Sequence, residues 1–320
     1  MKKIISALFL ALALSSCYED YIKDFDYTSI YFPYQTNVRT VVVGEGMKIE
    51  VGTALGGVME NDRDRRVDFI LDNSLVTPAI LTLMQSSPLS YIKTNVADLA
   101  SLTPMPADYY TISSNSITIK KGQHVGSVII RPDSVKFLSD TATLKSQYVL
   151  PFLITNADAD SVLTAKKYAI VGLRYENMLF GNYYHGGVTT VKDATGAVVS
   201  TIKYYTTIPQ PDGMVWSLKT IAPDQLVTSA ISNGAGSFRL TLNGSDIVVS
   251  KADDSTVDVQ PNGASTFNRS KLLQDRKIIL NYKFDNADGT TSYAQDTLTF
   301  RNRIRDGINE WQDENPSHYN

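Results

Sequence analysis

Apolar and polar residues alternate along much of this 320-residue chain, which is the pattern of strands that bury one face. Residues 47–52 are a clear example in the first half. Other short runs rich in β-branched or aromatic residues lie at 29–32, 39–43, 67–71, 116–120, 125–131, 148–155 and 166–174. About seven strands separated by turn signals predict a β-sandwich over residues 27–175.

One segment of the first half has a different period. Between residues 75 and 102, apolar side chains recur at helical spacing at Leu75, Ala79, Ile80, Leu83 and Met84. This spacing predicts one or two short helices inserted between strands.

The second half, residues 176–320, returns to strand-like runs. They lie at 198–208, 214–219, 237–242, 247–251, 277–284 and 292–301, with turn signals at 193–196, 243–244 and 288–289. Consecutive antiparallel strands joined by short turns predict a meander, open or closed into a barrel. Near the end, Ile304, Ile308 and Trp311 have helical spacing, which predicts a helical turn packed on the barrel.

The first seventeen residues carry an export signal. A basic start, Met1-Lys2-Lys3, precedes an apolar run and then Leu14-Ser-Ser-Cys17, which is the pattern of a lipobox. We expect residues 1–16 to be a lipoprotein signal peptide and Cys17 to carry the lipid. Residues 17–26 would form an acidic spacer. An ordinary signal peptide is the alternative, but Cys17 is the only cysteine in the chain.

Composition narrows the choice of partners. Removal of residues 1–16 lowers the basic count from 30 to 28 against 33 acids, so the net charge changes from −3 to −5. No basic domain is evident, which argues against nucleic acid as a partner. We expect a mostly β protein that reaches the outer membrane through acylated Cys17.

Several motifs resemble those of Bacteroidetes surface lipoproteins encoded beside glycan-uptake machinery. They are Leu-Ser-Ser-Cys at 14–17 with Glu-Asp at 19–20, Pro-Ala-Asp-Tyr-Tyr-Thr-Ile-Ser at 106–113, Ile-Thr-Ile-Lys-Lys-Gly at 117–122 and Gly-Ser-Val-Ile-Ile-Arg at 126–131. The N-terminal half is similar to a β-sandwich domain of unknown function that also precedes the catalytic barrel of some endo-acting N-glycan hydrolases.

The second half is similar to a β-barrel domain that often follows that sandwich, through Gly-Asn-Tyr-Tyr at 181–184 and Thr-Leu-Thr-Phe-Arg at 297–301. The resemblance implies an immunoglobulin-like or Calx-β-like sandwich followed by a lipocalin-like barrel. It also implies glycan handling beside an outer-membrane transporter complex. No hydrolase module follows the sandwich in these 320 residues, so the resemblance supplies no catalyst.

Residues that could support catalysis are sparse. The chain has three histidines, His124, His185 and His318, without paired metal-ligand spacing, so no metal or cofactor is predicted. No serine stands in a Gly-x-Ser-x-Gly motif. Glycoside hydrolysis needs only two facing carboxylates and stays open as an alternative, although most visible acids lie in turns.

Two tyrosine pairs are the best candidates for ligand contact. Neighbouring strand residues point to opposite faces, so Tyr183 with Tyr184, and Tyr204 with Tyr205, should each present one ring outward. His185 and the Gly186-Gly187 pair lie beside the first of them. Tyrosine combines an apolar face for sugar C–H groups with a hydroxyl for hydrogen bonds. Trp216 shares a strand face with Met214 and Leu218, which places it in the core.

These observations predict a noncatalytic surface lipoprotein that binds or positions polysaccharide for an outer-membrane uptake system. It would face the cell exterior. The rival interpretation is a structural or adhesive surface protein that contacts other proteins. The polar C-terminal residues 313–320, with Pro316, argue against a fimbrial donor strand but not against adhesion in general.

Overall fold

The computed structural model describes residues 26–204 and 215–313. The signal peptide, Cys17, most of the spacer and Tyr205 lie outside the described residues. In the described part the fold is mostly β, as predicted, with a β-sandwich followed by a barrel.

The sandwich contains eleven strands in the described residues, several of them very short. They are β1 (Asp26–Tyr31), β2 (Thr36–Val43), β3 (Ile49–Val58), β4 (Arg65–Leu71), β5 (Thr103–Pro104), β6 (Tyr110–Ile112), β7 (Ser116–Ile119), β8 (Val125–Pro132), β9 (Tyr148–Ala157), β10 (Ser161–Val162) and β11 (Tyr168–Asn177). One sheet has the order β10-β1-β3-β8-β6, and the other has the order β2-β11-β9-β4-β7 with β5 beside β9.

The sandwich core lies between these two sheets. Alternate residues of each strand face inward, and β8 shows this clearly because its second, fourth, sixth and eighth residues are buried. Phe32, Phe69 and Phe152 form the centre, with ring centroids 5.2 to 6.2 Å apart. Such burial is worth about 1.5–3 kcal/mol for each large apolar side chain.

The predicted helical insertion is confirmed. It consists of α1 (Pro78–Gln85) and α2 (Ser90–Val96), and a third short helix, α3 (Lys136–Ser139), precedes β9. The apolar faces of α1 and α2 pack on Val38 of β2 through Leu81, Met84, Ile92 and Val96. A small second core therefore covers this edge of the sandwich.

The second half contains thirteen strands in the described residues. They are β12 (Gly181–Lys192), β13 (Val198–Tyr204), β14 (Val215–Ala222), β15 (Gln225–Thr228), β16 (Ala230–Ile231), β17 (Gly234–Ala235), β18 (Phe238–Asn243), β19 (Asp246–Lys251), β20 (Gln260–Pro261), β21 (Ser265–Phe267), β22 (Lys277–Asp285), β23 (Thr291–Arg305) and β24 (Ile308–Glu310).

The main sheet of this half closes on itself. Its order runs β12-β14-β15-β18-β19-β21-β22-β23, and β23 pairs again with β12. β13 pairs with the second part of β12, beyond the residues that pair with β14. The predicted turns are found: Gly196 and Gly289 have φ of +87° and +83°, which glycine adopts without steric cost.

The C-terminal helical turn expected from Ile304, Ile308 and Trp311 is wrong. This segment forms the hairpin of β23 and β24, in which Arg305 pairs with Ile308 across Asp306-Gly307. Asp306 and Gly307 both have positive φ, at +51° and +80°, as a two-residue hairpin turn requires. The three apolar residues are 58–65% exposed and do not pack on the barrel.

The two halves meet through buried polar contacts. Glu45, between β2 and β3, reaches Arg276 and Arg303 of the second half. Asp306 accepts a hydrogen bond from the backbone N–H of Thr40 at 3.1 Å. β11 ends at Asn177 and β12 begins at Gly181, close to the predicted boundary at residues 175–176. Independent folding of the two halves stays a prediction.

Candidate functional site

β12 places the predicted ligand-binding residues on two opposite faces. Tyr183 and His185 point into the barrel and are 0% and 2% exposed, whereas Tyr184 points outward and is half-buried. Tyr204 on β13 is 7% exposed and also lies inside. Strand alternation explains this division. A ligand on the outer face therefore does not reach the rings of Tyr183, His185 or Tyr204, and Tyr205 lies outside the described residues.

The inward residues form a polar network around Asp296, whose side chain is fully buried. The hydroxyl of Tyr204 donates to Oδ1 of Asp296 at 2.6 Å, and that of Tyr282 donates to Oδ2 at 2.5 Å. Burial raises the pKa of both tyrosines, and the charge of Asp296 and these hydrogen bonds raise it further. Both tyrosines therefore stay protonated donors at neutral pH.

Stacked rings complete this interior. His185 stacks on Trp216, with ring centroids 4.2 Å apart and ring planes inclined by 24°, and its Nε2 is 3.2 Å from Oδ1 of Asp296. Trp216 is 1% exposed, so its predicted place in the core is confirmed. Thr189 and Ser232 join their hydroxyls to that of Tyr204. The hydroxyl groups and Asp296 satisfy one another and hold the barrel wall in place, whereas Nε2 of His185 has no hydrogen-bond partner among the described residues.

The outer face of the same wall carries a groove of about 790 Å³. It follows β12 where Gly186 lacks a side chain, so the backbone forms its floor. Tyr184 stands at one end and Lys203 of β13 at one side. The remaining side-chain lining combines two apolar residues, Val188 and Ile279, with the polar residues Gln295, Thr297 and Thr299.

Strand register brings this lining together. Tyr184 lies directly opposite Thr299, Gly186 opposite Thr297, and Val188 opposite both Gln295 and Lys203. The guanidinium of Arg301 lies 5.9 Å from the ring centroid of Tyr184. The groove thus offers an aromatic ring, hydroxyl and amide groups, and a lysine ammonium, and its described lining contains no carboxylate.

Of this lining, Tyr184, His185 and the Gly186-Gly187 pair were identified from sequence, and the ring of His185 points away from the groove into the barrel. Lys203, Gln295, Thr297 and Thr299 were missed because each is an ordinary polar residue on the solvent side of a strand. They meet only through pairing between β12 and strands that begin as much as about a hundred residues away in the chain. No local sequence signal identifies such a set.

A second cavity, of about 820 Å³, lies between the halves. Several of its charged residues already pair within the protein: Asp306 with Arg39, and Glu310 with Arg305. Glu45, at its edge, is held by Arg276 and Arg303. Because these charged groups already pair with one another, the cavity serves as a contact region between the halves. The outer groove is the better candidate for a binding site.

The described ranges, 26–204 and 215–313, contain neither a metal-binding cluster nor a membrane-spanning helix. No group of three or more His, Cys, Asp or Glu side chains there is arranged to hold a metal ion. No helix in those ranges combines the length and apolarity needed to cross a bilayer.

Comparison with known proteins gives a partial sequence match. A family model described as an N-terminal domain matches residues 25–161. The match lies in the part of the chain that forms the sandwich and does not extend into the barrel. No curated protein matches the chain.

Several solved structures from Bacteroides ovatus align with this chain. One protein of unknown function, solved at 2.40 Å, is 22% identical with a TM-score of 0.66, and the alignment covers 90% of this chain and 99% of that one. A second protein of unknown function is 14% identical with a TM-score of 0.43, covering 90% and 100%. A third, described as a candidate carbohydrate-binding protein, is 12% identical with a TM-score of 0.30, covering 89% and 79%. The first of these establishes a shared fold and nothing about ligand.

Proposed function

We propose that this protein is a noncatalytic, lipid-anchored surface protein that binds polysaccharide for an outer-membrane glycan-uptake system. The observation that carries the proposal is the outer groove beside Tyr184. The lipobox before Cys17 supports the anchor, and the resemblance to lipoproteins of glycan-uptake systems supports the location and the transporter partner.

The groove has the chemistry that sugars require. A pyranose has apolar C–H faces that stack on an aromatic ring, and Tyr184 supplies such a ring at the groove's end. Sugar hydroxyls need hydrogen-bond partners at short spacing, and Gln295, Thr297 and Thr299 lie at alternate positions of one strand. The glycine floor lets the ligand approach the backbone closely.

We propose that the groove binds glycan without hydrolysing it. Glycoside hydrolysis uses two carboxylates on either side of the scissile bond, whereas the described groove lining presents Lys203 and neutral groups. The nearby carboxylate of Asp296 lies on the opposite face of the wall and is held by Tyr204 and Tyr282.

The expected affinity is modest. One stacking contact contributes about 0.5–1.5 kcal/mol, and each of several hydrogen bonds contributes a similar amount. After the cost of association, these contributions correspond to millimolar to micromolar dissociation constants. Such binding suits a protein that captures a glycan and passes it to a transporter.

Replacement of Tyr184 by alanine tests the site. We expect affinity for a bound glycan to fall a few-fold to tenfold, because a stacking contact is lost, while the melting temperature changes little. Tyr27, which is 62% exposed on the sandwich, provides the control Tyr27→Ala. Affinity gels with a panel of host and plant polysaccharides, followed by calorimetry, give the measurement. Unchanged affinity in Tyr184→Ala would place the ligand elsewhere, and failure of every glycan to bind would refute the proposed function.

A further inference from the structure

The outer wall around the groove is strongly basic. Four adjacent strands, in the order β13-β12-β23-β22, present their outward side chains on one surface. We call this surface the basic face; its cations are Lys192, Lys203, Lys277, Lys283 and Arg301. The only outward carboxylate on these four strands is Asp285, which lies at the end of β22 and accepts a hydrogen bond from Thr291.

Among the residues that the structure describes, the five cations have no acidic partner at ion-pair distance. Elsewhere in the described residues, some exposed cations pair with neighbouring carboxylates, as Lys120 does with Asp64 and Arg239 with Asp253, while others, such as Lys219 and Lys251, stand singly on their strands. No carboxylate of the described residues lies within 4.0 Å of any cation of the basic face. Like charges on one sheet face repel each other, and here they gather in a chain whose net charge is −3. An external anion would relieve this repulsion.

Two of these cations lie over aromatic rings. The ammonium of Lys192 is 4.8 Å from the ring centroid of Tyr293, and the guanidinium of Arg301 is 5.9 Å from that of Tyr184. Tyr293 lies opposite Thr190, six residues along β12 from Tyr184, which is about 20 Å at 3.3 Å per residue. The basic face therefore carries one pair of ring and cation at each end. Between the two pairs lie the groove and its row of hydroxyl and amide groups.

We propose that the basic face binds an anionic polysaccharide, whose carboxylate or sulfate groups pair with these lysines and Arg301 while its sugar rings stack on Tyr184 and Tyr293. This inference rests on the proposed function and specifies its ligand class. A neutral glycan would use the rings but leave the five cations unpaired. A nucleic acid would satisfy the charges, but the groove's row of hydroxyl and amide groups matches the hydroxyls of a sugar chain.

Pairs of polymers that share a sugar backbone but differ in charge distinguish recognition of charge from recognition of sugar. The full mature chain, kept in solution with detergent, would be titrated with polygalacturonate and its methyl-esterified form, and with dextran sulfate and dextran. We expect at least one charged polymer to bind tenfold or more tightly than its neutral counterpart at low salt. Raising the salt should weaken that binding, because exposed charges are screened over about 10 Å at 0.1 M. The member that binds identifies carboxylate or sulfate as the recognised group.

Variants then locate the contact. Lys203→Gln with Arg301→Gln should lower affinity for the charged polymer about three- to thirty-fold, the effect of losing two exposed ion pairs. The control pair is Lys219→Gln with Lys251→Gln, two exposed lysines on β14 and β19 that lie outside the basic face. The control should bind normally, and the melting temperature of both double variants should match the native protein.

Four other results of these binding experiments would each contradict a specific part of the proposal. Equal binding of neutral and charged polymers would overturn the anionic ligand but leave glycan binding in place. No binding to any polymer in this set or in the wider glycan panel would overturn both. Binding of single-stranded DNA as tightly as the charged glycan would show a general polyanion surface and refute recognition of a saccharide. Equal losses in the two double variants would place the contact outside the basic face.

Discussion

Glu45 joins the sandwich to the barrel, and its replacement by glutamine should destabilise the protein markedly. Its carboxylate accepts hydrogen bonds from Arg276 at 2.7 Å and from two nitrogens of Arg303 at 2.8 Å each. The three side chains are 3%, 0% and 1% exposed. Glu45→Gln keeps the shape but removes the charge that balances two buried guanidinium groups.

The size of the effect follows from that burial. Breaking a buried pair by removing one partner costs about 3–5 kcal/mol, because the remaining charge is left in a poorly solvated site. At about 2–4 °C per kcal/mol for a domain of this size, the melting temperature should fall by roughly 6–20 °C. Glu310 still pairs with Arg303, which favours the lower end of the range.

Thermal and urea unfolding followed by circular dichroism provide the assay. The control is Glu50→Gln on β3, an exposed glutamate that accepts a hydrogen bond from Ser127, and it should cost less than about 1 kcal/mol. If Glu45→Gln costs no more than this control, the cluster does not stabilise the folded protein and the reasoning is refuted.

The same cluster sets a pH dependence. Burial alone would raise the pKa of Glu45, but the hydrogen bonds and charges of Arg303 and Arg276 together lower it below its ordinary value of 4.5. A lowered folded-state pKa means that the carboxylate stabilises the fold above the unfolded pKa, and that this contribution disappears as pH falls through the folded pKa. The difference in unfolding free energy between native protein and Glu45→Gln should be constant above about pH 5.5 and narrow below pH 4.5.

Three further changes test other parts of the structure. Cys17→Ala should move the protein from the membrane pellet to the soluble fraction, and unchanged pelleting with an unlipidated N-terminus in mass spectrometry would contradict the lipid anchor. Asp306→Asn should maintain stability or raise it by up to about 1 kcal/mol, because asparagine suits the positive φ and can still accept from Thr40. Burial raises the pKa of Asp306, so the ionised aspartate destabilises the native protein increasingly as pH rises from 4 to 8. The free energy of unfolding gained by Asp306→Asn, measured in urea, should therefore grow over that range. A variant that is less stable than the native protein by more than about 1 kcal/mol at pH 8 would contradict this prediction. Gly187→Ala should cost about 1–3 kcal/mol, because its Cβ would lie 2.4 Å from Oδ1 of Asp296. Gly234→Ala should be nearly neutral, because its Cβ would meet only the carbonyl oxygen of Ile231, at an ordinary 3.7 Å; equal melting temperatures for the two variants would refute the clash.

Strand alternation was sufficient to predict most of the fold. Long runs such as β8 and β22 bury every second residue, so their pattern is visible without any knowledge of partners. β15 and β21 were missed because runs of four and three residues are too short to show a period. Their positions in the barrel depend on pairing with neighbours, which a local pattern does not contain.

The C-terminal hairpin shows two local signals in conflict. Ile304, Ile308 and Trp311 match a helical period, while Asp306-Gly307 between them is a strong two-residue hairpin turn. The turn prevails in the structure because β23 is already paired along its length with β12 and β22 and continues into β24. Tertiary pairing therefore outweighs a short apolar spacing.

The candidate site could be predicted only in part, for a reason that lies in the barrel interior. Alternation showed that one residue of Tyr183 and Tyr184 must face outward, but which one depends on the register of β12. Asp296 lies directly opposite Gly187, and its bonds to Tyr204 and Tyr282 require all three on the inner face. A slip of one residue would place Asp296 outside and bury Tyr184 with the neighbouring cations. The buried network therefore specifies the register, and through it the outward position of Tyr184 and the basic face.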